Sequence, residues 1–266
     1  MQDVDTQNSS PHGVVWRRVD YEDVNTLVSV LRGVDVVLSF IQLLQDPGNK
    51  AQKNLIDAAV LAGVKRFAPS EWARVNENGK VLEYCLFQPG LFLNYLATPH
   101  KTAEYLTPLN TFVDIQNRRA IVVEGQNPIV TFTTVQDMAA VVARAVDFEG
   151  EWPVVGGIRG NHLAVSEIIK IGEATRGGPF SVDAVKLEDL EAGKLTVSST
   201  IKARHSSVMQ MPEEQAEAMA KSVLVGMLLS SAKGAWEVSN EWNRLLPDFE
   251  FTKMQDFLCE AWQAKP

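Results

Sequence analysis

The sequence predicts an α/β protein built on an open parallel sheet with helices on both faces. Two observations carry this prediction. Short β-branched or apolar segments alternate with amphipathic segments over residues 14–68, and glycines stand where the helical patterns stop. The order strand, helix, strand, helix, strand is the one that right-handed crossovers wind into such a sheet.

The first predicted strand and helix occupy residues 14–33. The segment VVWRRVDY, Val14–Tyr21, mixes β-branched and aromatic residues with arginines, which is typical of a strand. In the next segment, EDVNTLVSVLRG, apolar residues recur at the spacing of one helix face, and Gly33 is a suitable C-terminal stop. This pair is the first half of a strand–helix–strand crossover.

The second strand and helix follow directly. Val34–Ile41 is a continuous apolar run, as a parallel strand covered on both faces requires. The helix predicted in DPGNKAQKNLIDAAVLAG has Pro47 near its start and Gly63 at its end. Two more strands are predicted at Val64–Ala68 and Leu82–Phe87.

Beyond residue 90 the pattern becomes mixed. Short strands are predicted in RRAIVVEG and IVTFTT, and helices in VQDMAAVVARAVDF, in AVSEIIKIGEAT with Ser166 as an available N-cap, and in three later segments. We therefore expect a loop or disordered N-terminus at 1–13, an incomplete nucleotide-binding type of core at 14–150, and a small mixed substrate-side lobe at 151–266, interleaved with the core.

Composition excludes several classes of protein. A net charge of −8 and a pI near 5.1 argue against a dedicated nucleic-acid binder, which needs a basic surface. No apolar run approaches the roughly 18 residues of a membrane span, and the polar N-terminus is not a signal peptide, so we expect a cytoplasmic protein without membrane contact. Cys85 and Cys259 are expected to be buried free thiols, and the four scattered histidines predict no metal site.

Four segments carry a family resemblance: VDYEDVNTLVSVLRGVDVVLSFI, LIDAAVLAGVKRFAPSEW, FQPGLFLNYL and TTVQDMAAVVARAV. Together they resemble the NmrA-like and isoflavone-reductase-like branch of the atypical short-chain dehydrogenase/reductases, from about Val14 to Asp147 and more loosely to Gly193. The resemblance implies a Rossmann-like core that binds NADP or NAD, with a C-terminal lobe that closes over a small organic substrate.

The resemblance also implies positions for the ligands, at the carboxyl ends of the strands, where open α/β sheets hold them. The cofactor-side residues are Asp20, Tyr21, Ser39, Phe40, Ile41, Pro69, Ser70 and Glu71. The substrate-side residues are Phe87, Gln88, Pro89, Gly90 and His100. Several of them also have a purely structural interpretation. Asp20 is a turn acid or, preferably, the N-cap of the next helix, and Ser70 and Glu71 cap a strand end. The Phe87 segment belongs to the core, and His100 is a solvated loop residue.

The sequence departs from the family pattern in the phosphate-binding unit. The family opens with a strand, a glycine-rich turn and a helix whose N-terminus holds the pyrophosphate. Neither G-x-x-G-x-x-G nor G-x-G-x-x-G occurs in this sequence, and only thirteen residues precede the first predicted strand, whereas a βαβ unit needs about 30. The expected sheet is therefore truncated.

The second departure concerns catalysis. If Val64–Ala68 and Leu82–Phe87 are parallel neighbours, residues 69–81 barely meet the dozen that a crossover needs. In the related reductases a helix in this region supplies the catalytic lysine. Here Asn76, Asn78 and Gly79 disfavour a helix, and Lys80 stands just before the next strand.

A Tyr-x-x-x-Lys pair does not replace that lysine. The residues four positions after the four tyrosines are Asn25, Gln88, Pro99 and Leu109. The catalytic residues therefore stay unknown. By resemblance we expect an NAD(P)-dependent oxidoreductase acting on a small, aromatic or secondary-metabolite-like compound. The alternatives are a non-catalytic dinucleotide-sensing or regulatory protein and an inactive shortened form of a longer reductase, and self-association or a regulatory protein partner is a further expectation.

Overall fold

The computed structural model describes residues 13–41, 46–70, 82–197 and 212–263. By its internal contacts the chain divides into two compact units. Unit 1 comprises residues 1–86 with 149–154, and unit 2 comprises residues 87–148 with 155–266. The α/β class with a parallel sheet is confirmed in unit 1.

Unit 1 holds a three-stranded parallel sheet and two helices. Its elements are α1 (Val24–Leu31), β1 (Val36–Leu38), a 3-10 turn (Pro47–Asn49), α2 (Lys50–Ala62), β2 (Arg66–Ala68) and β3 (Glu83–Tyr84). The strand order is β1-β2-β3, with Val37 opposite Phe67 and Phe67 opposite Tyr84. The two strands that the sequence predicted at 64–68 and 82–87 are therefore parallel neighbours at β2 and β3.

Local sequence signals explain both helices of unit 1. The Asp23 carboxylate accepts the backbone N–H groups of Asn25 and Thr26 and caps α1. Gly63 ends α2 in the left-handed region at φ 80°, as its position predicted. Buried side chains from α1, α2 and β2, among them Leu27, Ala58 and Phe67, form the core of the unit.

Two predictions for residues 14–23 are wrong. Residues 14–20 form no strand, and Trp16 is 66% exposed, because no described strand pairs with this segment. Asp20 is a turn acid whose carboxylate accepts the backbone N–H of Glu22, while Asp23 takes the N-cap position. A segment with a strand-like pattern does not form a strand unless an adjacent strand accepts and donates its backbone hydrogen bonds.

The predicted strand Leu82–Phe87 is interrupted. The Cys85 N–H still donates to Phe67 O of β2, but the Leu86 N–H donates to Val154 O. The run therefore becomes β3 followed by β4 (Leu86–Gln88). Cys85 is buried as expected, whereas Cys259 is exposed, so the prediction of two buried thiols is half right.

Unit 2 holds short strands and most of the helices. Its further strands are β5 (Leu91–Phe92), β6 (Val113–Asp114), β7 (Arg119–Val123), β8 (Ile129–Thr133), β9 (Val155–Gly157), β10 (Asn161–Ala164) and β11 (Ser181–Val185). Its helices are a 3-10 helix (Leu93–Ala97), α3 (Val135–Val146), α4 (Val165–Arg176), α5 (Leu187–Glu191), α6 (Glu213–Ala232), α7 (Glu241–Leu245) and α8 (Met254–Trp262).

The strands of unit 2 form three small sheets. Their orders are β10-β8-β5, β11-β7-β6 and β4-β9. The strands predicted on either side of the QNP turn, β7 and β8, consequently lie in different sheets. Sequence patterns did not predict β9, β10, β11 or α7, and Ala164 rather than Ser166 precedes α4 as its N-cap.

A buried carboxylate ties the end of the chain to α3. Asp137 lies in the first turn of α3, and its two carboxylate oxygens accept the Thr252 N–H at 3.0 Å and the Thr252 hydroxyl at 3.1 Å. As an acidic residue in the first turn of a helix, Asp137 also interacts favourably with the helix dipole. Asp137 also orients the segment that leads into α8.

No helix among the described residues is both long and apolar enough to cross a membrane.

Candidate functional site

The carboxyl ends of β1 and β2 bring two predicted site segments together in unit 1. The Ser39 N–H donates to Ala68 O at 2.8 Å and so continues the pairing of the two strands by one residue. Ser39–Ile41 and Pro69–Ser70 therefore leave the sheet side by side. Ligands of open α/β sheets lie beyond this edge.

A buried glutamine connects these strand ends. The Oε1 atom of Gln52, in the first turn of α2, accepts the Ser39 hydroxyl at 2.8 Å and the Ser70 N–H at 3.3 Å. The Ser70 hydroxyl donates in turn to Ile41 O. Because a backbone N–H can only donate, the Ser70 contact fixes which end of the Gln52 amide faces the strands. We call Ser39, Ile41, Gln52 and Ser70 the strand-end cluster.

The other end of the same amide is a donor without a partner among the described residues. Gln52 is only 4% exposed, and its Nε2 group finds no acceptor among the described residues. Leaving a buried donor unpaired costs about 1–3 kcal/mol. A ligand atom that accepts a hydrogen bond at this position would remove that cost, so the strand-end cluster has an unmet requirement for an acceptor.

The N-terminus of α2 is already occupied by a carboxylate of the chain. Asp46 accepts the Ala51 N–H at 2.9 Å and the Gln52 N–H at 3.0 Å. Burial raises the pKa of Asp46, but these N–H groups with that of Lys50, and the charge of Lys53, outweigh burial and lower the pKa below its usual value. A second anion is disfavoured there, so this helix end is not open to a phosphate group.

The fit of a dinucleotide to the described residues is therefore partial. The strand-end cluster offers a donor for a polar group of a ligand, and Phe40, which is 75% exposed, offers an apolar surface at the same strand end. Among the described residues of unit 1 we find no helix end that is open to the pyrophosphate.

The Asp46 cap gives a prediction about pH. A depressed pKa in the folded state means that the carboxylate stabilises the fold above its unfolded-state pKa, and that this contribution is lost as the pH falls through the folded-state pKa. Denaturant unfolding is measured between about pH 6 and pH 2.5. The wild type should have a higher free energy of unfolding than Asp46→Asn at pH 6, and this difference should shrink on acidification. Asp57→Asn, on the exposed face of α2, controls for the lost charge. A constant difference between wild type and Asp46→Asn would contradict the prediction.

The remaining cofactor-side residues take separate places in unit 1. Tyr21 is partly exposed, and its carbonyl oxygen accepts the Asn54 side-chain amide at 2.7 Å. The Asp20 carboxylate lies in the exposed turn beside it. Pro69 is buried next to Ser70. Glu71 lies outside the described residues, as does Lys80. Their roles toward a cofactor stay predictions.

The predicted substrate-side residues belong to unit 2. The strand that begins this segment, β4, starts one residue earlier, at Leu86. Phe87 is fully buried and stacks on Trp242, with ring centroids 5.3 Å apart. The Gln88 carbonyl oxygen accepts the Ile158 N–H, and Gly90 makes the sharp bend that Pro89–Gly90 predicted, at φ 70°. His100 packs edge-on against Trp262 at 4.7 Å. Contact of these residues with a substrate stays a prediction.

A cavity that sequence reasoning missed lies in unit 2. It has a volume of about 480 Å³ and is lined by the 3-10 helix, by the sheet β11-β7-β6 and by Leu224 of α6. A cavity of this size falls in the range that holds small organic ligands. The described residues contain no group of three or more His, Cys, Asp or Glu side chains that could hold a metal ion.

Comparison with known proteins agrees with this architecture. Residues 2–89 match the profile of the NmrA-like family. The chain is 26% identical to the oxidoreductase swnN of Metarhizium robertsii, over 93% of this chain and 84% of that protein.

Two solved structures share the fold over most of the chain. One is AtPrR2 with NADP+ and (+)-pinoresinol, at TM-score 0.62 and 18% identity, covering 91% of this chain and 80% of that one. The other is the Citrobacter sp. triphenylmethane reductase complexed with NADP(H), at TM-score 0.60 and 16% identity, covering 92% and 83%.

Proposed function

We propose that this NmrA-like chain is a cytoplasmic NAD(P)-dependent oxidoreductase that reduces a small, aromatic or secondary-metabolite-like compound. The observation that carries the proposal is the strand-end cluster. In it a buried amide, whose donor has no partner in the described part of the chain, lies at the carboxyl ends of parallel strands, where open α/β sheets bind ligands. The relative swnN is named an oxidoreductase, and both solved structures described above hold NADP+ or NADP(H).

The residues of the cluster have distinct parts in this proposal. Ser39 and Ser70 hold the Gln52 side chain at the strand ends, and Gln52 Nε2 donates to an acceptor of the bound cofactor. Phe40 covers an apolar part of the ligand and excludes water from it. A bound nicotinamide would supply the hydride chemistry, which belongs to the cofactor rather than to the chain.

Titration of the purified chain with NADPH and with NADH, by calorimetry and by nicotinamide fluorescence, tests the proposal. We expect micromolar binding by the wild type and at least about tenfold weaker binding by Gln52→Met, which keeps the length of the side chain but removes both its donor and the oxygen that accepts from Ser39 and Ser70. Gln126→Met, the same change at an exposed turn, should bind like the wild type. Unfolding curves of both variants show whether the cluster has folded.

Two outcomes would contradict the proposal. If the wild type does not bind either nucleotide at millimolar concentration, the function of the family does not transfer to this chain. If Gln52→Met binds as tightly as the wild type, the strand-end cluster is not the cofactor site.

The alternative function is a dinucleotide-binding regulator that acts through a protein partner without reducing a substrate. It is favoured by the sequence, in which no tyrosine is followed four residues later by lysine. NADPH oxidation assayed with quinone, imine and enone acceptors separates the two functions. Tight NADPH binding with no turnover of any acceptor class would support the regulator, and turnover would exclude it.

A further inference from the structure

The cavity of unit 2 has a polar wall formed by one face of a sheet. In a strand, side chains alternate between the two faces, and residues opposite each other point the same way. Arg119 is opposite Asp114 of β6, and Ile121 is opposite Asp183 of β11. Asp114, Arg119, Ile121 and Asp183 therefore share one face of the sheet, and all four line the cavity.

The rest of the lining contains both apolar and polar residues, the polar ones being Thr98, Asn110, Thr111, Gln116 and Asn117. Leu96 from the 3-10 helix, Leu109, Phe112 and Leu224 from α6 contribute to it. Buried apolar side chains and half-buried charged side chains therefore line the same cavity. A site lined by both apolar and polar side chains suits a small organic molecule that carries polar groups.

The charges of the cavity lining do not balance. Arg119 makes an ion pair with Asp183 at 3.0 Å, and both side chains are three-quarters or more buried. The Asp114 carboxylate accepts the Asn117 N–H at 3.0 Å and the Asn117 side-chain amide at 2.7 Å, both of them neutral donors. Among the described lining residues, two carboxylates therefore face one guanidinium, and the surplus charge is negative.

Tyr95 adds a hydroxyl group to the lining. Burial raises the pKa of Tyr95 above its usual value, so the hydroxyl is protonated at neutral pH and can donate or accept a hydrogen bond. Its ring packs against Phe92 at 5.8 Å, which holds the side chain in place.

We propose that this cavity binds an uncharged or singly positive small organic molecule that donates hydrogen bonds, and that it discriminates against anions. Donors on the ligand meet the carboxylate oxygens of the sheet face, and the apolar body of the ligand fills the space between the sheet, Leu96 and Leu224. An anion would approach a surplus of negative charge in a partly desolvated site. The inference concerns unit 2 alone and stands whether or not the chain binds a dinucleotide.

Three probes with one skeleton and different charge test it: naphthalenemethanol, naphthalenemethylamine and naphthoate. Their binding to the full chain is measured by calorimetry and saturation-transfer NMR at neutral pH, without nucleotide. We expect the alcohol and the ammonium to bind and naphthoate to bind at least about tenfold more weakly. Equal or tighter binding of naphthoate, or no binding of any probe at millimolar concentration, would overturn the proposal.

Matched variants assign the binding to the cavity. Asp114→Asn removes the surplus charge, so the ratio of the dissociation constants of naphthoate and the alcohol should fall several-fold. Asp147→Asn, at an exposed position, should leave this ratio unchanged. Tyr95→Phe should weaken binding of the alcohol, and Tyr105→Phe, which alters a tyrosine that is 92% exposed, should leave it unchanged. If Asp114→Asn and Tyr95→Phe both fold and bind all three probes like the wild type, the probes bind elsewhere and the proposal fails.

Discussion

Replacing Gly90 with alanine is expected to lower the free energy of unfolding by more than about 3 kcal/mol, or to prevent folding of unit 2. Gly90 has φ 70°, and an added Cβ would lie 2.3 Å from Thr131 O and 2.9 Å from Thr131 Cβ. The close approach is built into the fold, because β5 begins at the next residue and pairs with β8, where Leu91 is opposite Phe132. Relief of the clash would require separating these two strands.

A second glycine separates the clash from the backbone conformation. Gly125 has φ 71°, and nothing lies within 4 Å of its added Cβ. Gly125→Ala should therefore show only the cost of a left-handed alanine, about 1–2 kcal/mol. Urea unfolding followed by circular dichroism gives both values. Equal destabilisation by the two substitutions would show that the contact with Thr131 is not what requires Gly90.

Truncation of Trp242 is expected to have the next largest effect, a loss of about 3–5 kcal/mol. Its side chain is fully buried, it stacks on Phe87 with an angle of 13° between the ring planes, and the ring of Phe148 meets it edge-on at 5.8 Å. Alanine would leave a cavity lined by these rings, and the loss of ring packing adds to the lost burial.

The matched control is Tyr105→Ala, which truncates an aromatic side chain of the same unit that is 92% exposed. Its free energy of unfolding should stay within about 0.5 kcal/mol of that of the wild type. Trp242→Phe should recover part of the stability that Trp242→Ala loses. The midpoint of urea unfolding, with an unchanged slope, measures each value. A loss below about 1 kcal/mol in Trp242→Ala would mean that the three rings do not form a packed core.

The same rings explain why the substrate-side prediction could not be decided from sequence. The apolar residues of FQPGLFLNYL are more typical of core, whereas its Pro89–Gly90 turn is typical of a pocket wall, so the sequence leaves both interpretations open. Phe87 is in the core only because Trp242, 155 positions later in the sequence, packs against it. No local sequence pattern predicts a packing partner that is so distant along the chain.

The strand-end cluster was half predictable. The family resemblance placed Ser39 and Ser70 among the eight cofactor-side residues, in agreement with the rule that ligands lie beyond the carboxyl ends of parallel strands. Gln52 was missed because it is one polar residue in the first turn of a helix. Its importance depends on the orientation of α2, which turns this side chain toward β1 and β2 and buries it.

The cavity of unit 2 could not be predicted at all. Its lining comes from the 3-10 helix, from residues 109–121, from Asp183 and from Leu224, and these segments meet only through the parallel pairing of β7 with β11 and the packing of α6. The acidic residues that give the cavity its surplus negative charge are far apart in the sequence. The register of three strands places them on one face.

By itself the sequence determined the α/β class, the helices α1, α2 and α3, and the glycine that ends α2, because helix periodicity and caps are interactions over a few residues. Tertiary structure decided which apolar runs became strands. Val14–Tyr21 has a strand-like composition and forms none, and Leu82–Phe87 changes partner at Leu86. A strand is defined by hydrogen bonds to a neighbour, and the neighbour is supplied by the whole fold.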